Sequence, residues 1–145
     1  MLDLKIQMEY EKIRGFDMNL VLGEDKLSQL GGLLTKLIKE GGASYTLLTD
    51  MAGNLICKNG EGAVDATSLA VLAAANFAAT KEIARLIGEE EFSLLFHRGQ
   101  KENIHFTRIS PEILLIVLFK PYVSLGLLRL KVESIKKEIQ RLLEE

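Results

Sequence analysis

The chain has 145 residues, the size of one domain, and 48% of them are hydrophobic, enough to bury a core without disulfides or metals. Eighteen Lys and Arg against twenty Asp and Glu leave a net charge of −2, so there is no basic excess to neutralise phosphates and no nucleic-acid partner is expected. Cys57 is the only cysteine, no apolar run approaches the ~20 residues of a membrane span, and charges from Asp3 to Lys12 interrupt any cleavable signal. These features point to a cytoplasmic protein with no integral membrane segment.

Residues 1–17 read as an N-terminal extension, and residues 18–145 as the domain. In the extension Leu2, Ile6, Tyr10 and Ile13 fall near helical spacing before Gly15 interrupts. The first clear helix runs from about Asp25 to Glu40, with Leu27, Leu30, Leu34, Leu37 and Ile38 as its inner stripe. The Gly31-Gly32 pair weakens it and permits either a close approach or a bend. Gly41-Gly42 ends it. Tyr45–Thr49 and Leu55–Lys58 form a hairpin around Asp50-Met51-Ala52-Gly53-Asn54, where Gly53 suits positive φ. Residues 59–65 are a loop, and Asp65, Thr67 or Ser68 can cap the next helix.

That central helix holds the uncharged run Leu69–Thr80, rich in alanine, and continues to a natural stop at Gly88. At about 100° per residue, Leu69, Leu72, Ala73, Asn76, Thr80, Ile83 and Ile87 share one face, read as the inner one. Lys81, Glu82 and Arg85 mark the outside, which extends back through Ala70, Val71, Ala74 and Ala78. A helix that is apolar all round is buried all round. One side is therefore expected on the domain's own sheet and the other against a second protein surface.

Period-two alternation follows. Phe92, Leu94 and Phe96 give a strand, then Ile104 and Phe106 another, with a turn at Gly99–Glu102. Ile113–Phe119 is continuously apolar and reads as an interior strand covered on both faces. From about Leu125 a last helix carries a seam of Leu128, Val132, Ile135, Ile139 and Leu142, which suits a helix laid on a sheet better than a coiled coil. Tight turns make the strands antiparallel. The expected fold is α+β: a five-stranded antiparallel sheet with helices in the order α-β-β-α-β-β-β-α.

This order, together with Ala75-Asn76-Phe77-Ala78-Ala79-Thr80, the Thr49-Asp50…Gly53 hairpin, the Gly88-Glu89…Phe92 junction and the Phe96-His97-Arg98-Gly99 strand end, resembles the roadblock/dynein light chain family over about residues 19–142. The resemblance implies a roadblock/profilin-like fold that homodimerises through the central helices and an adjoining strand edge. It also implies a Ras-like small GTPase as partner. Some bacterial members stimulate GTP hydrolysis by holding the GTPase in its competent shape, supplying no catalytic side chain. Carried over, Val71, Ala74, Ala75, Ala78 and Glu82 would lie on the docking platform, with Ala70, Lys81 and Arg85 completing the partner and dimer surface. Gly53, Asn76 and Thr80 match structural positions. On this reading Ala74→Arg or Ala78→Arg would block association and spare the core. The last helix runs to Glu145, so activity that depends on a basic or Pro-rich tail is not expected. A scaffold that leaves GTP turnover unchanged is the alternative, and a small-molecule sensor a third.

The remaining chemistry reads as structural. No phosphate-loop motif is present, so the chain is not itself a P-loop GTPase, and no cofactor is expected. Gly60-Glu61-Gly62 reads as a plain loop rather than an anion site. His97 and His105 share a face only if they oppose each other across a hairpin, and even then fall short of a zinc site. Cys57 reads as a buried or half-buried strand cysteine, Glu89-Glu90-Glu91 as a solvated face, and Asn76 as an amide satisfying backbone groups of a strand or a paired subunit. Catalytic and metal residues are therefore expected to be none.

Overall fold

Seven consecutive apolar side chains have no solvent face to offer, and Ile113–Phe119 accordingly forms the middle strand of the sheet. The computed structural model describes residues 18–92 and 95–144, and the proposed 1–17 extension lies outside them. Among the described residues the elements are α1 (Met18–Gly41), β1 (Ala43–Asp50), β2 (Leu55–Gly60), α2 (Ala66–Leu86), β3 (Leu95–His97), β4 (Asn103–Ser110), β5 (Ile113–Phe119) and α3 (Leu125–Glu144). The sheet order is β2-β1-β5-β4-β3 and every pairing is antiparallel.

Alternate residues of β5 feed two separate cores. Ile113, Leu115, Val117 and Phe119 point into a large core with Leu30, Leu34 and Leu37 of α1 and Leu128, Val132, Ile135 and Ile139 of α3. Leu114 and Ile116 point the other way, to Ala66, Ala70, Ala73 and Phe77 of α2, with Tyr45, Leu47 and Phe106. Two helices thus cover one face of the sheet, and α2 alone covers the other. The seam expected along α3 lies on the sheet and α1, as a helix-on-sheet reading requires. Lys131 on Glu40 at 3.0 Å and Lys36 on Glu138 at 3.8 Å tie α1 to α3 at their surface.

Two boundaries and one glycine pair bear on the sequence reading. Helix α1 begins by Met18, and its axis breaks at Gly23, whose φ of 69° and ψ of 169° no helix accommodates. The Gly31-Gly32 pair neither bends the helix nor allows a close approach, since a Cβ added at either meets nothing within 4 Å. The strand expected from Phe92 shortens to Leu95–His97, with residues 93 and 94 outside those described. Register settles the histidines: His97 opposes Ile104 and His105 opposes Phe96, so the two imidazoles lie on opposite faces.

Two polar devices fix the ends of the sheet. At the β1–β2 turn, Asp50 Oδ1 accepts from the backbone N–H of Ala52 (3.0 Å) and Asn54 (2.9 Å), while its Oδ2 accepts from Asn54 Nδ2 (2.9 Å). Gly53, at φ 91°, presses against α2: a Cβ there would stand 2.9 Å from Val71 Cα. At the other end, buried His105 places Nδ1 3.1 Å from the carbonyl oxygen of Leu95, stapling the short β3 to β4. Burial holds the His105 pKa below the usual histidine value; nearby Arg129 adds to this, while the Leu95 carbonyl and Glu133 act in the opposite sense.

The glycines give opposite expectations. Gly32→Ala, exposed and helical, should raise stability by about 1 kcal/mol, whereas Gly53→Ala should lower it by roughly 1–3 kcal/mol through its φ and the Val71 backbone. Thermal unfolding of the two variants checks both signs. For His105, a depressed folded-state pKa means that the unfolded chain binds the proton first. Its contribution is complete above the ordinary histidine pKa and is lost as pH falls below it. His105→Asn keeps a donor near the Leu95 carbonyl but does not titrate, so the wild-type minus variant stability difference should decline toward acid by up to about 1.4 kcal/mol per pH unit. Denaturant melts between pH 8 and pH 5 should show that slope; parallel curves would contradict it.

Candidate functional site

Helix α2 starts where Asp65 caps it: Oδ1 accepts from Ser68 N at 3.1 Å and Oδ2 from Ser68 Oγ at 2.7 Å. These bonds lower the Asp65 pKa, because they favour the charged carboxylate. The helix ends at Gly88, φ 88°, with Glu89 N–H donating to the Ala84 carbonyl at 2.8 Å. The sheet-facing stripe between these caps is Ala66, Ala70, Ala73, Phe77 and Ala84, spaced four, three, four and seven.

That stripe corrects the sequence reading by about a quarter turn. Ala70 and Ala74, expected outside, are buried. Leu72, Ile83 and Ile87, expected inside, are 67%, 54% and 66% exposed, and Val71 and Leu86 join them at 51% and 86%. Size misled the reading. The larger side chains formed one stripe and the alanines another, and it is the alanines that let the helix lie close to β1 and the hairpin. Ala70 and Ala74 have little surface to offer a partner, and Ala74→Arg would drive a charge into the subunit's own packing. The signal available in the sequence was Phe77, in step with Ala66, Ala70 and Ala73, which marks the sheet side.

The exposed face has two flanks. Leu72, Asn76, Ile83 and Ile87 (i, i+4, i+11, i+15) lie toward β3, because Asn76 Nδ2 sits 3.4 Å from His97 Nε2. Val71, Ala78, Glu82 and Arg85 form the other flank, whose N-terminal end lies over the β1–β2 hairpin, where Val71 Cα packs beside the site of Gly53. Ala75 and Ala79, both exposed, run between them. Lys81 is exposed, and Arg85 Nη1 donates to both Glu82 carboxylate oxygens at 2.9 and 3.0 Å. Thr80 Oγ1 donates to the Asn76 carbonyl one turn back at 2.7 Å. Within the subunit, half-buried Asn76 meets a side chain, His97, rather than strand backbone groups; the paired-subunit contact also expected for it lies outside a single chain. Among the described residues edge strand β3 is hydrogen-bonded only to β4, and none of them pairs with its outer rim beside the first flank.

Elsewhere the titratable groups are structural. Burial pushes the Cys57 thiol up to about 12, which keeps it protonated and unreactive at neutral pH. Glu91 is half-buried and pairs with Arg108 at 2.7 Å, while Glu89 and Glu90 are solvated. No group of three or more His, Cys, Asp or Glu that could hold a metal occurs among the described residues. No helix among them is long and apolar enough to cross a membrane.

Comparison with known proteins bears on this surface. No curated protein sequence matches the chain. Among solved structures, Myxococcus xanthus MglB is 35% identical with a TM-score of 0.79, covering 84% of this chain and 92% of its own. An MglB described as having a tetrameric arrangement is 26% identical with a TM-score of 0.79, covering 85% of this chain and 93% of its own. The gliding protein MglB of Thermus thermophilus is 26% identical with a TM-score of 0.78, covering 85% and 94%. The fold is that of the roadblock and profilin proteins, and roadblock domains are mostly non-enzymatic. The Roadblock/LC7 domain model matches residues 30–119, from the first buried turns of α1 to the end of β5. The chain therefore belongs to the Roadblock/LC7 domain family and is an MglB-like roadblock protein.

Proposed function

We propose that this chain is a homodimeric platform that binds a Ras-like small GTPase and promotes its GTP hydrolysis by positioning the partner's own groups. The observation that carries the reading is the exposed apolar face of α2, with five large side chains in water beside an edge strand. The likeness to MglB supports the choice of partner.

The two flanks divide the work. The flank of Leu72, Ile83 and Ile87 adjoins the β3 rim, so a second copy adding its own β3 there would lay its α2 on those residues. The flank of Val71, Ala75, Ala78, Glu82 and Arg85 then remains on top of the paired helices for the GTPase. Small side chains at 75 and 78 let a partner backbone come close. An MglB with a tetrameric arrangement supports a further pairing of two such dimers. Arg85 forms an exposed i, i+3 pair with Glu82, and the reading gives it no arginine-finger role.

A scaffold that leaves turnover unchanged is separated from this reading by one assay: GTP hydrolysis by the small GTPase with and without the protein. A stimulated rate supports the proposal, and an unchanged rate at saturating protein overturns it in favour of the scaffold.

Leu72→Glu with Ile83→Glu should weaken the dimer by roughly 10²–10⁴-fold, because each leucine-sized group withheld from burial is worth about 1.5–3 kcal/mol; sedimentation equilibrium measures this. Ala78→Arg should leave the dimer intact and abolish stimulation. Arg85→Ala should change the stimulated rate by no more than about twofold, whereas loss of a true arginine finger costs 10³–10⁵. Single-turnover hydrolysis with binding monitored in parallel decides between the two mechanisms.

A further inference from the structure

The chain is acidic just before β3 and basic just after it. Glu89 and Glu90 follow Gly88 at the end of α2 and are exposed; Arg98 and Lys101 are exposed in the turn from β3 to β4. Among the described residues none of the four forms an ion pair. Their charged neighbours do: Glu91 is engaged with Arg108 at 2.7 Å, and Glu102 with Lys120 at 2.7 Å. Uncompensated negative charge therefore precedes β3, and uncompensated positive charge follows it. The end of α2 is also the negative pole of its helix dipole, where cations are the ordinary choice, so the subunit itself gains nothing from acid there.

Both groups stand on fixed backbone. Glu89 N–H donates to the Ala84 carbonyl at 2.8 Å, and the Glu91–Arg108 pair holds the following residue against β4. In the turn, Gly99 N–H donates to Oδ1 of buried Asn103 at 3.0 Å. Charges held in place before contact lose little freedom on binding.

We propose that these charges set the direction and the choice of partner at the β3 edge: the Glu89–Glu90 end of one copy meets the Arg98–Lys101 turn of a second copy. The inference rests on the homodimer reading above and deepens it. In that reading both α2 helices lie on the same side of the joined sheet. The two-fold axis is then normal to the sheet, and β3 meets its copy antiparallel. Such pairing brings the acidic end before each β3 beside the basic turn that follows the other. A two-fold contact uses each group twice, so acid faces base at both ends. A parallel approach would set acid on acid and base on base. The apolar flank of Leu72, Ile83 and Ile87 contributes contact area but no direction, and the charges supply the direction. The arrangement is self-complementary, which a second copy requires and an unrelated partner does not.

Two charge-reversed forms of the full chain test this: Arg98→Glu with Lys101→Glu, and Glu89→Lys with Glu90→Lys. Each alone sets like charges together at both ends and should weaken the homodimer roughly 10–100-fold by sedimentation equilibrium, with its circular dichroism spectrum unchanged. Mixed, the two forms again present acid to base at both ends. Native mass spectrometry of the mixture should find far more heterodimer than the roughly one half expected of random pairing. All four substitutions in one chain should restore the homodimer, which a folding defect in either parent would not allow. In 1 M salt, where the Debye length is about 3 Å, the differences should shrink.

Reversed forms that dimerise as tightly as wild type, random pairing in the mixture, or a four-fold variant that stays weak would overturn the proposal. So would loss of GTPase binding with the dimer intact, since that assigns the charges to the other partner. Failure of the homodimer reading shows separately, as a wild type that sediments as a monomer throughout or a dimer that Leu72→Glu with Ile83→Glu does not weaken.

Discussion

The close seat of α2 on the sheet is the constraint from which the rest follows. A helix can approach β1 and its hairpin this nearly only if its contact stripe is small, and here that stripe is alanine relieved by one phenylalanine. Gly53 makes room from the other side, and Asp50 holds the turn that presents it. The consequence is geometric: with alanine facing inward, the leucines and isoleucines of α2 have nowhere to go but outward. Five partly exposed large side chains forgo on the order of 5–10 kcal/mol of available burial. That is comparable with the whole net stability of a typical domain, about 5–15 kcal/mol. A face of that kind is a binding surface in waiting.

The two layers differ in what they do. On the α1/α3 side, leucines, isoleucines and a phenylalanine interlock, and this layer carries most of the core. On the α2 side a thinner core suffices to hold the helix, and the larger apolar groups are kept for contact. The sheet serves both, because β5 sends alternate side chains into each. Its edge strand, β3, is held in place by the His105 bond to Leu95. An anchored edge beside an apolar helix flank discriminates better than either feature alone, since a partner must satisfy both.

The order of elements was legible because each carries its own punctuation. Gly41-Gly42, Asp50 to Asn54, Asp65, Gly88 and Pro121 sit where chain direction changes, and periodicity between them separates helix from strand. The uninterrupted run Ile113–Phe119 announced a strand covered twice. The orientation of α2 was signalled only by Phe77, against the stronger pull of its leucines and isoleucines. Both stripes of that helix have period 3.6, and hydrophobic size points to the wrong one, because the depth at which a helix sits on a sheet is a tertiary property. The same limit applied to the histidines, whose relative face hung on a one-residue choice of register. Asn76 was read correctly as an amide that needs a partner, but strand pairing decided that the partner would be His97.

The chemistry of the α2 face limits the kinds of mechanism open to it. Methyl and isobutyl groups, backbone and one self-satisfied Glu82–Arg85 pair can supply shape and exclusion of water. The large side chains among them can neither accept a proton from an attacking water nor coordinate a phosphate; the only charged groups the face adds are Lys81 and the Glu82–Arg85 pair. For Arg85 to reach a developing charge its Nη1 would first have to leave the Glu82 carboxylate, an exposed i, i+3 pair whose opening costs little. On the proposed reading the surface would accelerate hydrolysis by binding one conformation of its partner better than another, and its effect would be bounded by that difference in affinity. Stimulation would then vary among partners with the fit of side chains such as Val71 and Ala78, rather than with the presence of any one charged group on this chain.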